Sequence, residues 1–441
     1  MKNPSRFCGL ANPISRVAQL CFVSWPTQKG ELTDSERRVD RLTGTALPIG
    51  QNEKLDTTET IMNQPTEDLQ NRYSLPAEWE PQSMVQLTWP HEDTDWAEML
   101  DEVYECFLCI AREVAKREHL LVVTPHPARV KEQLRQAGVR MEHVTLFQCP
   151  TNDTWARDHG FITVKNEEKR TPSQPSPKER SEYFGKENIS LPSLVEGQGE
   201  SLLIHLDFCF NGWGMKFAAN WDNRINRHLH EAGVVDGTYV DCLDFVLEGG
   251  SIESDGQGTL LTTSHCLMAP NRNARHTTKK ALERKFSECF GTRQVLWLDH
   301  GYLAGDDTDS HVDTLARLCP NDTIAYVQCT DEADEHYTEL RLMEEQLKGF
   351  RTLNGRPYRL VPLPMAKAVI EEGERLPATY ANFLIMNGAV LYPTYNQPEK
   401  DALAGAQLQS IFTDREVVGI DCRALIRQHG SLHCVTMQYP R

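Results

Sequence analysis

The sequence predicts a mixed α/β fold that is not a purely parallel, doubly wound sheet. Three observations carry this. Short apolar strand patterns alternate with amphipathic helices from residue 73 onward. Asn387-Gly388 stands between two apolar runs, the strongest two-residue hairpin signal, so some neighbouring strands are antiparallel. Strand, helix and hairpin recur crudely along the chain without a residue-level repeat.

Residues 1–70 have no sustained period and many polar side chains, and are expected to form a poorly ordered extension. The apolar run Ala18-Gln19-Leu20-Cys21-Phe22-Val23 is too short for a signal segment. Met62 offers a working start, which the N-terminal peptide of the natively expressed protein would test. The globular pattern begins at Tyr73, and 71–441 is read as a single domain. Asp101 to Arg117 predicts a helix, with Val103, Phe107, Ile110 and Val114 near helical spacing. His119 to Thr124 predicts a strand, Pro127 to Ala137 a helix, and Val144 to Gln148 and Phe161 to Val164 two further strands. From about 165 to 200, Pro172, Pro175, Pro177 and Pro192 lie among Ser, Lys and Glu, which predicts a mobile inserted surface loop. Strand pattern resumes at Leu202-Leu203-Ile204. Helices are expected near Thr277 to Phe290 and Asp334 to Phe350, where Leu340, Met343, Leu347 and Phe350 share a face. Strands follow at Arg359 to Leu363, Phe383 to Met386 and Ala389 to Tyr392.

The bulk numbers exclude several functions. With Lys+Arg 46 against Asp+Glu 63, the net charge of -17 argues against a nucleic-acid binder and suits a small cationic substrate. No run approaches the roughly 18–20 apolar residues of a membrane span. Thirteen scattered cysteines point to a reducing compartment, the cytoplasm. Cys106 and Cys109 form one CxxC, but no second pair follows at zinc spacing, so they read as core thiols.

Four separated segments hold complementary chemistry. Asp158 and Asp313 are candidate carboxylates for a guanidinium, a planar cation that carboxylates bind through paired N–H···O bonds. Trp155, three residues before Asp158, can pack against the cation or its alkyl chain. Cys434 is the candidate nucleophile, since a thiolate attacks such a poor electrophile best and forms more readily beside a cation. His311 suits the acid/base role. On a strand, His311-x-Asp313 would put both side chains on one face. Each residue has an ordinary structural reading: core thiol, ion pair, turn glycine in Glu248-Gly249-Gly250. Together they describe a site that cuts a guanidine, and the chemistry needs no metal or cofactor.

The ordered motifs resemble the agmatine deiminase and bacterial-type peptidylarginine deiminase family, over almost all of 73–440. They are Leu75-Pro76-Ala77-Glu78-Trp79, Leu87-Thr88-Trp89-Pro90-His91, Asn152 to Asp158, Phe210-Asn211-Gly212-Trp213-Gly214, Leu247-Glu248-Gly249-Gly250, Gly305 to Asp313 and His433-Cys434. The resemblance implies a five-bladed α/β propeller, the pentein fold, of ββαβ modules around a central site. It implies Cys434 as nucleophile, His311 as acid/base, and Asp158 and Asp313 as guanidinium carboxylates. Trp155, Trp89, Trp213 and Glu248 become substrate-binding candidates, and Asp307 the residue that selects the distal amine of agmatine. The implied reaction is hydrolysis of agmatine to N-carbamoylputrescine and ammonia through a covalent amidino-cysteine. Peptidylarginine or arginine is the alternative substrate, and amidino transfer the alternative reaction class. A homo-oligomer is compatible with this reading. The chain departs from the family pattern in carrying Asp307 for the usual Glu, Ser251 for Asn, and Gln428-His429-Gly430-Ser431 in place of a glycine-rich run.

Overall fold

The computed structural model describes residues 73–166, 202–276 and 278–441. The expectations for 1–70, and for the inserted loop apart from its first two residues, lie outside these. Lys165 and Asn166 complete the strand Ile162–Asn166.

Five small sheets follow one plan: two antiparallel strands, a crossover helix, then a third strand parallel to the second. The first pairs Ile162–Asn166 with Leu203–Cys209 and adds Thr238–Val246 after the helix Asp222–Glu231. The second pairs Ile252–Ser254 with Thr259–Thr263 and adds Gln294–Leu298 after the helix Lys279–Phe290. The third uses Ala316–Cys319, Thr323–Gln328, the helix Tyr337–Gly349 and Arg359–Pro364. The fourth uses Leu384–Met386, Ala389–Thr394, the helix Pro398–Ile411 and Glu416–Asp421. In the fifth, the last strand, Thr436–Pro440, pairs antiparallel with Gln82–Thr88 near the start of the described chain. His119–Thr124 and Val144–Gln148 then extend that sheet in parallel. Each parallel pair needs a long return path, and an amphipathic helix supplies it while covering one sheet face.

Local chemistry fixes these elements. The helix Leu100–Ala115 buries Val103, Phe107, Ile110 and Val114 along one stripe. The Thr278 side chain accepts from the Ala281 amide to start the helix Lys279–Phe290, and Gly291, at φ 65°, ends it in the left-handed conformation. Asn387-Gly388 turns the expected hairpin, with Met386 opposite Ala389.

The plan has a consequence for function. In every unit, a tight turn or short loop delivers the chain into the first strand. These are Ala156–His159, Gly249–Ser251 and Val312–Thr314 in the first three units, then the segments at 379–383 and 430–435. Asp158, Gly250, His311, Asp313, Asn382 and Cys434 all lie on or beside these five connections. The His311-x-Asp313 segment is therefore a 3-10 turn and not the expected strand. No helix among the described residues is long and apolar enough to cross a membrane.

Candidate active site

The site converges on Gly250. A Cβ there would lie 2.7 Å from His311 Nδ1, 2.9 Å from Asp158 Oδ1 and 3.1 Å from Asp313 Oδ2. Glycine leaves the volume that lets these three groups meet. All three are buried, yet His311 Nδ1 and Asp313 Oδ1 have no hydrogen-bond partner. Buried polar atoms are almost always paired, so two orphans at one place mark a position made for something else.

Asp158 is held from two sides: Gly250 N–H donates to Oδ1 (3.0 Å) and the Trp213 indole N–H to Oδ2 (2.9 Å). Trp213 reaches it from a backbone at φ 53°, inside a turn that Asn211 Oδ1 caps through the Gly214 amide (2.8 Å). Burial, opposed by His311 and reinforced by Asp313 and Glu248, raises the Asp158 carboxyl to about 6.

His311 contacts Glu248 Oε2 through Nε2 (3.1 Å) and faces Asp158 Oδ1 across 3.7 Å. Burial pulls the imidazole pKa down, but Asp158, the Cys266 thiol and Glu248 outweigh it and lift it well above its ordinary value. His311 is thus poised as an imidazolium, a general acid, near neutrality. Its loop is strained, with Asp309 and Ser310 both left-handed at φ 63° and 66°. Asp306 holds this bend by accepting from Thr308 Oγ1 (2.6 Å) and the Ser310 amide (2.7 Å). Arg272 clamps it by donating to Asp309 Oδ2 (2.5 Å) and Thr308 O (2.9 Å).

Cys434 is buried beside Asp313, whose Oδ2 lies 3.7 Å from the sulfur. Burial, then the negative charges of Asp313 and Asp158, push the thiol well above its ordinary range. The same cause suggests the remedy: a cation entering between these carboxylates cancels the charge that opposes ionisation. One neutral donor already helps. Asn382 Nδ2 lies 3.2 Å from Cys434 Sγ and 3.1 Å from Asp313 Oδ2. Its amide orientation is fixed, because Oδ1 accepts the backbone N–H groups of His433 (2.9 Å) and Cys434 (3.3 Å). Sequence reasoning missed Asn382. Its available signal was an amide inside the apolar run Tyr380-Ala381-Asn382-Phe383, just before a hairpin strand.

Above the sulfur lies an open cavity lined in part by Trp155, Asp158, Trp213, Asp307 and Cys434. Asp95 and Asp153 add two more carboxylates, and none of its lining residues is a lysine or arginine. Asp153 accepts from the Trp155 indole (3.1 Å) through Oδ2 and from the Trp96 indole (2.9 Å) through Oδ1, which sets the aromatic wall. Gly430 passes so close to Trp155 that a Cβ would lie 2.2 Å from the ring. Asp307 stands at the mouth, its side chain 45% exposed. The structure thus brings Cys434, His311, Asp158, Asp313, Trp155, Trp213 and Asp307 together.

Two candidates lie elsewhere. Trp89 is fully buried; it stacks on Tyr104, meets Phe107 edge-on at 5.5 Å and donates to Gln133. It is a core residue because the chain leaving the strand Gln82–Thr88 turns the indole under the helix Leu100–Ala115. Glu248 lies behind His311, shared between that imidazole and the Arg272 guanidinium (2.9 Å), and does not line the cavity. It holds the His311 imidazole from behind.

Among the described residues, two groups carry metal-ligand atoms near one another: Glu248, Cys266 and His311, and Glu78, Glu253 and His433. A buried arginine already supplies positive charge to each, Arg272 in the first and Arg317 in the second. The second group belongs to a layer behind the site. There Glu78 Oε1 accepts from Arg157 (3.1 Å) and meets His433 Nε2 (2.8 Å), while Oε2 accepts from Arg317 (2.6 Å). Arg317 also binds Glu253 and donates to Ala381 O (3.2 Å) and Phe383 O (2.5 Å).

Comparison with known proteins follows the same lines. Residues 74–440 match the family model of Porphyromonas-type peptidyl-arginine deiminase. A Porphyromonas gingivalis structure, provisionally named an arginine deiminase, is 49% identical with a TM-score of 0.72, covering 84% of this chain and 99% of that one. An agmatine deiminase from C. jejuni, solved with substrate bound in a cysteine-to-serine variant, is 34% identical with a TM-score of 0.70, covering 84% and 96%. A Vibrio parahaemolyticus protein, provisionally named agmatine deiminase, is 30% identical over 395 residues, 85% of this chain and 99% of its own length. The chain belongs to the agmatine deiminase and Porphyromonas-type peptidyl-arginine deiminase family.

Proposed function

We propose that this chain hydrolyses the guanidino group of agmatine to N-carbamoylputrescine and ammonia, through a covalent amidino-cysteine. One observation carries the reading: two buried carboxylates and a raised imidazole converge at Gly250 beside the Cys434 thiol, with His311 Nδ1 and Asp313 Oδ1 unpartnered. A guanidinium, whose N–H groups only donate, would supply the partner that Asp313 Oδ1 lacks. Its charge, set between Asp158 and Asp313, would lower the thiol pKa, so that the thiol would lose its proton to solvent and the thiolate would add to the central carbon. His311 would give its proton to the departing nitrogen, which leaves as ammonia. Neutral His311 would then take a proton from water, hydroxide would add to the same carbon, and the C–S bond would break to return the thiolate and a ureido product. In the same reading the five sheets are the blades of a pseudo-fivefold α/β propeller. That each unit delivers a site residue from one point of its plan supports this. Every described cysteine is unpaired, which supports a reducing compartment.

The mouth favours an amine at the far end of the substrate: among the described residues, Asp95, Asp153 and Asp307 line the cavity and no lysine or arginine does. A second reading, peptidylarginine or arginine, has two supports. One is the 49% identity to the P. gingivalis structure. The other is Lys216, which donates to Asp307 O (2.5 Å) and Asp309 Oδ1 (2.9 Å) beside the mouth and could meet a carboxylate. Ammonia release from agmatine, arginine and a C-terminal arginyl peptide separates them. The first reading expects the highest kcat/KM for agmatine; faster turnover of the peptide replaces it with the second.

A further inference from the structure

Asp313 is gripped on one oxygen only. Oδ2 accepts from Asn382 Nδ2 (3.1 Å) and meets His433 Nδ1 (2.8 Å), whereas Oδ1 has no partner. His433 is fully buried, and its far nitrogen, Nε2, lies 2.8 Å from Glu78 Oε1 and 3.1 Å from Arg317 Nη2. An ionised carboxylate only accepts, so the hydrogen bond to Asp313 requires the proton on Nδ1. Whether Nε2 donates to Glu78 or accepts from Arg317, Nδ1–H stays directed at Asp313. The imidazole also belongs to the residue next to the nucleophile, and both backbone amides of that pair are tied to Asn382 Oδ1. The carboxylate and the sulfur are thus set in one frame.

We propose that His433, braced from behind by the Glu78–Arg317 pair, is a positioning residue that fixes the Asp313 carboxylate so that Oδ1 is presented to the substrate guanidinium. This gives the Leu75-Pro76-Ala77-Glu78-Trp79 motif a part in substrate binding, although Glu78 lies behind the site and does not line the Cys434 cavity. The inference rests on the guanidino-deiminase reading. Without the Nδ1–H bond, Asp313 keeps its charge but can rotate, and a paired contact with a planar cation is intolerant of rotation.

The test measures agmatine binding by calorimetry in the full chain carrying Cys434→Ser, alone and combined with His433→Leu, His433→Asn or Glu78→Gln. Asparagine places an amide N–H near the position of imidazole Nδ1, whereas leucine offers no donor. His433→Leu is expected to weaken binding about ten- to a hundredfold, the scale of a lost hydrogen bond to a charged group. His433→Asn should restore most of it. In the Cys434 enzyme the leucine variant should raise KM more than it lowers kcat. Parental affinity in the leucine variant, with only its melting temperature lowered, would overturn the proposal by reducing His433 to packing. Should that variant not fold, Glu78→Gln decides: several-fold weaker binding supports the relay and unchanged binding overturns it. Ammonia release by the wild type guards the premise. If no guanidino compound is turned over, the deiminase reading falls and takes this inference with it; if agmatine is turned over and the variants bind normally, only the inference falls.

Discussion

Two charged layers meet in this molecule, back to back, and the same turns build both. Arg157 faces the rear and Asp158 the cavity. His433 faces the rear and Cys434 the cavity. Arg317 follows Asp313 by one turn of chain. In the rear layer, Glu78, Glu253 and Arg317 are multiply bonded, and Arg157 Nε is the orphan there. In the front layer, the orphans fall on the groups that matter for chemistry, His311 Nδ1 and Asp313 Oδ1. Buried charge by itself therefore does not mark a site. Buried charge left short of partners beside a nucleophile does.

The contrast breaks most sharply at Cys434. Cys434→Ala should lower agmatine turnover by at least about 10^4-fold, because no other group can form the covalent intermediate. Its melting temperature should change little, since the change removes one sulfur atom and its contacts to Asn382 and Asp313. Ammonia release and thermal melting check both halves. Turnover near wild type would refute the nucleophile assignment.

The rear layer should respond in the opposite currency. Arg317→Ala leaves Glu253 and Glu78 buried without their shared cation and vacates the contacts to Ala381 O and Phe383 O. A loss of about 3–5 kcal/mol in unfolding free energy is expected, read by urea denaturation. An unchanged midpoint would mean that the layer is not structural glue.

Gly250→Ala tests the front without touching the rear. The new methyl would press on the tips of His311, Asp158 and Asp313, which can yield, so folding should survive. Their convergence should not, and kcat/KM is expected to fall about 100-fold, the cost of a small misplacement of reacting groups. Retention of full activity would show that the guanidinium does not depend on this convergence.

The acid limb of the pH profile gives a smaller effect. Burial, partly offset by His311, raises Asp158 to about 6, so lowering the pH through 6 protonates it in the free enzyme and removes one of the two carboxylates that grip a guanidinium. kcat/KM should fall about tenfold per pH unit below that point. The Trp213 indole N–H opposes this rise by bonding the ionised form. Trp213→Phe should therefore move the limb to higher pH. A limb that stays in place would assign it to another group.

How much of this was legible in the sequence depended on how local the cause was. His119–Thr124 and Val144–Gln148 form over the expected residues because apolar runs bounded by breakers need no tertiary information. Asp158, His311, Asp313 and Cys434 were legible because their chemistry is complementary. Trp89 was placed at the site because its motif Leu87-Thr88-Trp89-Pro90-His91 belongs to the resemblance, while the direction of its indole depends on the helix packed beneath it. Glu248 was read one layer too far forward. Asn382 was missed for a related reason: its contacts to Cys434 and Asp313 arise only when the fourth unit sets its first turn against the fifth. The repeat was legible only as a crude recurrence of strand, helix and hairpin, because it resides in strand order, with one unit split between the two ends of the described chain.

The finest distinction lies within the front layer, between the buried grip on the guanidinium and the exposed contact to the substrate's far end. Asp307 is half exposed, so its attraction for an amine is screened, and exposed ion pairs contribute only about 0.2–1 kcal/mol. Asp307→Asn should raise KM for agmatine by no more than about fivefold and leave kcat nearly unchanged, because the contact is the same in ground and transition states. The effect should shrink with added salt. It should also vanish for butylguanidine, which keeps the guanidinium and alkyl chain but lacks the amine. Asp307→Glu extends the carboxylate by one methylene and should match or improve on the parent for agmatine alone. Equal losses for agmatine and butylguanidine in Asp307→Asn would show that Asp307 supports the strained loop before His311 and does not read the amine. The burden of substrate choice would then pass to Asp95 and Asp153 on the same wall.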